Sequence, residues 1–99
     1  MGKLEGCVAV ITGAGRGIGA AIALSYARAG AKVIIVDLDE TNARLVADQA
    51  RALGTDSDAF AVDVSDPQQS AGMIARVAER FGRLDVLVNN AGVIRVRSL

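Results

Sequence analysis

The residues with the clearest chemical purpose are the glycines of Thr12-Gly13-Ala14-Gly15-Arg16-Gly17-Ile18-Gly19. They follow a short apolar run and open a segment of helical periodicity. A glycine-rich turn between a strand and a helix leaves backbone N–H groups unpaired. It also places them at the positive end of the helix dipole, so it is an anion cradle. Gly13 permits the tight turn. Gly17, without a Cβ, lets backbone approach a phosphate, and Gly19 lets the helix pack closely. The N–H groups near Ile18 face the anion. Taken alone, the same residues also describe an ordinary flexible loop.

Three further groups give the turn a context. Asp37 ends a second apolar run, 18 residues after Gly19. That is close to the spacing of roughly 20 residues at which an acid accepts hydrogen bonds from an adenosine ribose. A carboxylate there repels a 2′-phosphate, which puts NAD ahead of NADP. Arg16 argues the other way, since a guanidinium can pair that phosphate. Asp63-Val64 leaves a third apolar run, where a carboxylate and the next N–H can meet an adenine edge. Asn89-Asn90-Ala91-Gly92 leaves a fourth, with two amides followed by two small residues that admit a flat ligand.

The elements that must carry these groups alternate. Cys7–Ile11, Lys32–Val36, Ala59–Val62 and Leu84–Val88 read as buried strands. Between them lie three helical stripes: Ile18, Ala21, Ile22, Ser25, Tyr26 and Ala29; then Ala43, Val46, Ala47, Ala50 and Leu53; then Ala71, Ile74, Val77, Ala78 and Phe81. Gly30, Gly54 and Gly82 stop them. Asp39 and Asp66 are N-caps, with Pro67 at the first helical position. Short connections and this alternation predict an α/β fold, a Rossmann-type doubly wound parallel sheet of order 3-2-1-4. Residues 1–99 are then expected to form one NAD(P)-binding domain, and that length is short for the architecture. The outer edge of the fourth strand is expected to be open, an aggregation hazard.

Composition narrows the function classes. Eleven basic and eleven acidic residues cancel, with no basic block, so neither nucleic acid nor a membrane surface is an expected partner. There is no histidine and a single cysteine, Cys7, so no metal site and no internal disulfide are expected. Asp56 and Asp58 lack supporting ligands. No apolar run approaches membrane-spanning length and no signal peptide is present, so the expected setting is cytoplasmic.

Together, Thr12-Gly13-x-x-x-Gly17-x-Gly19, Asp37, Asp63-Val64 and Asn89-Asn90-Ala91-Gly92 resemble the short-chain dehydrogenase/reductase family, notably its 3-oxoacyl-[acyl-carrier-protein] reductases and its sugar and steroid alcohol dehydrogenases. The resemblance implies a cofactor-binding set of Gly13, Gly15, Arg16, Gly17, Ile18, Gly19, Asp37, Leu38, Asp63, Val64, Asn90, Ala91 and Gly92. Asn90, Ala91 and Gly92 would border the cofactor's ribose. It further implies hydride transfer between nicotinamide and a small alcohol or ketone, in a homo-oligomer at full length. The family's catalytic serine, its Tyr-x-x-x-Lys pair and its later asparagine have no counterpart in these residues. The only tyrosine, Tyr26, lies in the first helical stripe. A non-catalytic nucleotide-binding module or a degenerate remnant of the family is the alternative reading.

Overall fold

The computed structural model describes residues 2–89 and the backbone of residues 92–95. The chain runs β1 (Val8–Thr12), α1 (Gly17–Arg28), β2 (Lys32–Asp37), α2 (Glu40–Ala52), β3 (Ser57–Ala61), α3 (Pro67–Phe81), β4 (Val86–Asn89) and β5 (Gly92–Arg95). The sheet order is β3-β2-β1-β4-β5, with the first four strands parallel. The 3-2-1-4 reading therefore holds. β5 returns antiparallel along β4, pairing Val86 with Arg95 and Asn89 with Gly92. This corrects the expectation of an open outer edge on β4, because a hairpin supplies the missing backbone partners.

Both faces of the sheet are covered, as a parallel sheet requires. On one face Ala9, Ile11, Val33, Ile35 and Val88 pack with Ala23 and Ala27 of α1 and with Ala43, Val46, Ala47 and Ala50 of α2. On the other, Val8, Val10, Ile34 and Val36 pack with Met73 and Val77 of α3 and with Leu84. The strand residues alternate between these clusters with the period of two that β geometry imposes. β1 is buried at every position.

The helix faces depart from the expected stripes. The buried line of α1 is Gly19, Ala23 and Ala27. Ile18, Ala21 and Ser25 are exposed, while Ile22 and Tyr26 lie half-buried at the margin. α1 is apolar nearly all round, so periodicity cannot choose a face, and close approach to the sheet selects the smallest residues. Leu53 lies beyond the buried stripe of α2, 44% exposed. In α3 Met73 takes the buried place expected for Ala71 and Ala78, which are exposed. β3 starts two residues earlier than expected, because the Ser57 hydroxyl is satisfied by the Val33 carbonyl at 2.7 Å. β4 starts later, since Asp85 uses its side chain elsewhere.

The helix ends follow the sequence signals. Asp39 accepts from the Asn42 N–H, and Asp66 accepts from those of Gln68 and Gln69. Gly30 and Gly54 follow the first two helices with φ of +97° each, and Gly82 caps α3 with φ of +75°.

The amino ends of the strands are pinned by side chains. Asp85 Oδ2 accepts the Val8 N–H at 2.8 Å, and Arg83 forks onto the same carboxylate at 2.6 and 2.8 Å. The Arg83 hydrogen bond, helped by the Val8 N–H, holds the Asp85 carboxyl below the usual carboxylate range. Its contribution to stability is therefore complete above about pH 4 and is lost as pH falls through the lowered folded-state value. Asp85→Ala orphans a buried N–H and is expected to cost about 1–3 kcal/mol at pH 7. Thermal unfolding should show the gap between wild type and variant closing below pH 4; a gap independent of pH would contradict this role.

Candidate functional site

Parallel pairing brings the carboxyl ends of β1 to β4 to one edge. Thr12 pairs with Val36, Asp37 with Ala61, and Ile11 with Val88. Loops leaving this edge are stitched together by backbone. The Ala14 N–H donates to the Val36 carbonyl and the Val62 N–H to the Asp37 carbonyl, both at 3.1 Å. The buried Thr12 hydroxyl reaches the Val88 carbonyl at 3.3 Å.

The glycine turn sits at the centre of this edge. Gly13 and Gly17 have φ of +63° and +62°, in the left-handed region that glycine enters without strain. A Cβ on Gly19 would stand 2.2 Å from the Gly13 carbonyl oxygen. Gly19 thus lets α1 press against the turn itself, a closer contact than the sheet packing expected of it. A Cβ on Gly17 would meet nothing within 4 Å, so the space beside that backbone is open to a ligand. No side chain caps α1, and its first turn holds no acid.

Asp37 joins this turn to β2. Its Oδ2 accepts the Gly15 N–H at 2.9 Å and its Oδ1 the Asp39 N–H at 3.0 Å. Each carboxylate oxygen accepts twice, so acceptor capacity remains for ligand hydroxyls. A cleft of about 420 Å³ is lined by Gly13, Arg16, Gly17, Ile18 and Asp37. A second, of about 180 Å³, is lined by Gly13, Val36, Asp37, Leu38, Val62, Asp63 and Val64. Gly13 and Asp37 border both, so the clefts adjoin.

The two clefts differ in chemistry. The first offers backbone N–H groups and a guanidinium, and suits an anion. The second is flanked by Leu38, 73% exposed, and Val64, 46% exposed. Large apolar side chains left open around a small cleft suit a flat apolar ring. Asp63 lies at its end. Its Oδ1 accepts from the Ser65 hydroxyl at 2.6 Å and the Ser65 N–H at 3.0 Å. The Ser65 bonds hold the Asp63 carboxyl below its ordinary value, so it is an ionised acceptor at neutral pH.

The structure therefore brings Gly13, Arg16, Gly17, Ile18, Asp37, Leu38, Asp63 and Val64 to one place. Asn90 and Ala91 lie outside the described residues, and Gly92 begins β5. Ile18 is 77% exposed and lines the first cleft, outside the helix core. Val36 and Val62 were missed as cleft walls. Each immediately precedes a singled-out carboxylate, so strand alternation was the available signal. A further cleft of about 180 Å³ beside the end of β4 is lined by Thr12, Val64, Met73, Leu87 and Asn89 among others. Another cleft, of about 490 Å³, lies outside β3 between α2 and α3. It contains none of the glycine turn, and its Arg44 is paired with Glu40 at 2.7 Å. Among the described residues no cluster of His, Cys, Asp or Glu could hold a metal.

The family model described as short chain dehydrogenase matches residues 7–99. The chain belongs to this family. It is 41% identical over 93 residues to the 3-oxoacyl-[acyl-carrier-protein] reductase FabG of Thermotoga maritima, covering 94% of this chain and 38% of that protein. The crystal structure of hydroxysteroid dehydrogenase from Escherichia coli superposes with a TM-score of 0.84 at 37% identity, over 87% of this chain and 37% of that one. NAD+-bound xylitol dehydrogenase superposes with a TM-score of 0.83 at 29% identity, over 86% and 33%. The chain thus spans little more than a third of the length of its relatives, which are oxidoreductases with a Rossmann fold.

The two site glycines have separable expected effects. Gly19→Ala forces a Cβ into the Gly13 carbonyl and should lower stability by about 1–3 kcal/mol, as overpacking does. Gly17→Ala meets open space and should cost only the left-handed strain of about 1–2 kcal/mol, yet it should abolish most anion binding. Thermal unfolding with and without nucleotide separates the two; equal nucleotide affinity in Gly17→Ala and wild type would refute the cradle.

Proposed function

We propose that this chain is the NAD-binding part of an oxidoreductase that moves a hydride between nicotinamide and a small alcohol or ketone. The observation that carries the reading is the pair of adjoining clefts that share Gly13 and Asp37. One is polar and headed by an uncapped helix; the other is apolar-rimmed and ends on a carboxylate. That is the order of chemistry along an adenine dinucleotide: phosphates, ribose, ring.

The proposed roles follow from position. Gly13, Gly17 and Ile18 present backbone to the pyrophosphate, with Arg16 beside it, while Gly15 holds Asp37 and Gly19 lets α1 close on the turn. Asp37 accepts the ribose hydroxyls. Leu38 and Val64 enclose the adenine, whose amino group Asp63 accepts. Asn90, Ala91 and Gly92 border the cofactor's other ribose. When bound, the nicotinamide supplies the hydride chemistry. The residues described here bind and orient it, and no catalytic residue is assigned among them. A homo-oligomer in the cytoplasm is the expected setting, and no described helix is long and apolar enough to cross a membrane.

NAD is preferred to NADP in this reading, because the Asp37 carboxylate would repel a 2′-phosphate on the ribose it is proposed to hold. Titration of the chain with NADH and NADPH, followed by nicotinamide fluorescence, should show NADH tighter by at least about tenfold. Asp37→Ala should weaken NADH about ten- to hundredfold, the loss of a charge-assisted hydrogen bond. Tighter NADPH binding by the wild type would overturn the preference.

A further inference from the structure

We propose that Gly15 is a specificity-determining position, whose missing side chain seats the Asp37 carboxylate over the ribose subsite. Gly15 is the one glycine of the turn whose identity the backbone does not explain. Gly13 and Gly17 have positive φ, and Gly15 does not. Gly19 is excluded from bearing a Cβ by a carbonyl in its own turn. A Cβ on Gly15 would instead stand 2.8 Å from Asp37 Oδ2, 2.9 Å from Asp37 Cγ and 2.9 Å from Asn42 Cβ. It would collide with the carboxylate itself.

That carboxylate cannot simply swing aside. Oδ2 is held by the Gly15 N–H at 2.9 Å, and Oδ1 by the Asp39 N–H at 3.0 Å. Asp39 is in turn the N-cap of α2, accepting from the Asn42 N–H at 3.0 Å. Asn42 is the second neighbour in the collision. Gly15, Asp37 and the first turn of α2 therefore form one packed unit, and Gly15 is buried within it. A methyl group at position 15 pushes the carboxylate off its two N–H donors or lifts the start of α2. Either movement takes the acceptor away from the ribose hydroxyls and removes the negative charge that excludes a 2′-phosphate. Gly15 is a positioning residue in this sense: it touches the cofactor's determinant, and acts through it.

The inference rests on the NAD reading above, and a double-mutant cycle separates the two. Binding of NADH and NADPH is measured for wild type, Gly15→Ala, Asp37→Ala and the double variant, with thermal unfolding of each in the absence of nucleotide. Gly15→Ala is expected to weaken NADH about tenfold while leaving NADPH unchanged or tighter. In the Asp37→Ala background the same substitution is expected to leave the NADH-to-NADPH ratio unchanged, because two of the three atoms it strikes are gone and the remaining contact, with Asn42 Cβ, bears on both nucleotides alike; such coupling is the mark of residues in contact. The unfolding midpoint should be lowered more by Gly15→Ala when Asp37 is present than when it is absent. Equal weakening of both nucleotides, or additive effects in the cycle, would overturn the role of Gly15 while leaving the cofactor assignment standing. A wild-type chain that binds neither nucleotide would overturn the cofactor reading and this inference with it. If Gly15→Ala fails to fold, Gly15→Ala combined with Asp37→Ala must fold for the proposal to survive.

Discussion

Parallel pairing in level register is the constraint on which the remainder depends. Because β1 to β4 run the same way, every loop with chemistry in it leaves from one edge. The crossover from β3 back past β2 and β1 to β4 makes β1 the strand from which the order diverges, where open α/β sheets form their ligand crevice. The glycine turn follows that strand. The hydrophobic burial of β1 on both faces therefore fixes the position of the glycine turn, and the pairing of β2 with β1 fixes Asp37 beside it.

Within that frame, polar contacts are few and specific. Asp37 spends hydrogen bonds on two backbone N–H groups, one in the turn and one at the head of α2. Its carboxylate is thus held in one orientation, and for the ligand role proposed for it such restraint would lower the ordering cost of binding. Asp63 is restrained in the same way by Ser65. The apolar walls, Val36 and Val62, come from strand ends and need no restraint beyond the sheet.

Much of this was legible in the sequence, for physical reasons that can be named. Strand order, caps and helix stops rest on local rules: β-branched runs, aspartate before a helix, glycine after it. That the glycine turn, Asp37 and Asp63 gather at one edge was legible because each follows a strand in a parallel sheet. The buried face of α1 was not legible, since an alanine-rich helix offers no periodic contrast and Gly19 has no hydropathy to register. Met73 was missed because an unbranched side chain reaches a gap that a fixed stripe does not anticipate. β5 escaped notice because it is only four residues long and starts on the last residue of the Asn89-Asn90-Ala91-Gly92 run, which masks its Val-Ile pair. The close approach of Gly15 to Asp37 was hidden for another reason. It depends on a distance to a residue 22 positions away, and no spacing rule encodes that.

The two edges of the sheet are tied differently. At the amino edge Asp85 holds Val8, Thr55 reaches the Ala31 carbonyl, Arg51 the Ser57 carbonyl, and Arg80 pairs with Asp56 and Asp58. At the carboxyl edge two backbone bonds, Ala14 to Val36 and Val62 to Asp37, run beside side-chain bonds made by Thr12, Asp37 and Asp63. A substitution at the amino edge therefore acts on strand register alone, whereas one at Asp37 or Asp63 acts on loop structure and cleft lining at once.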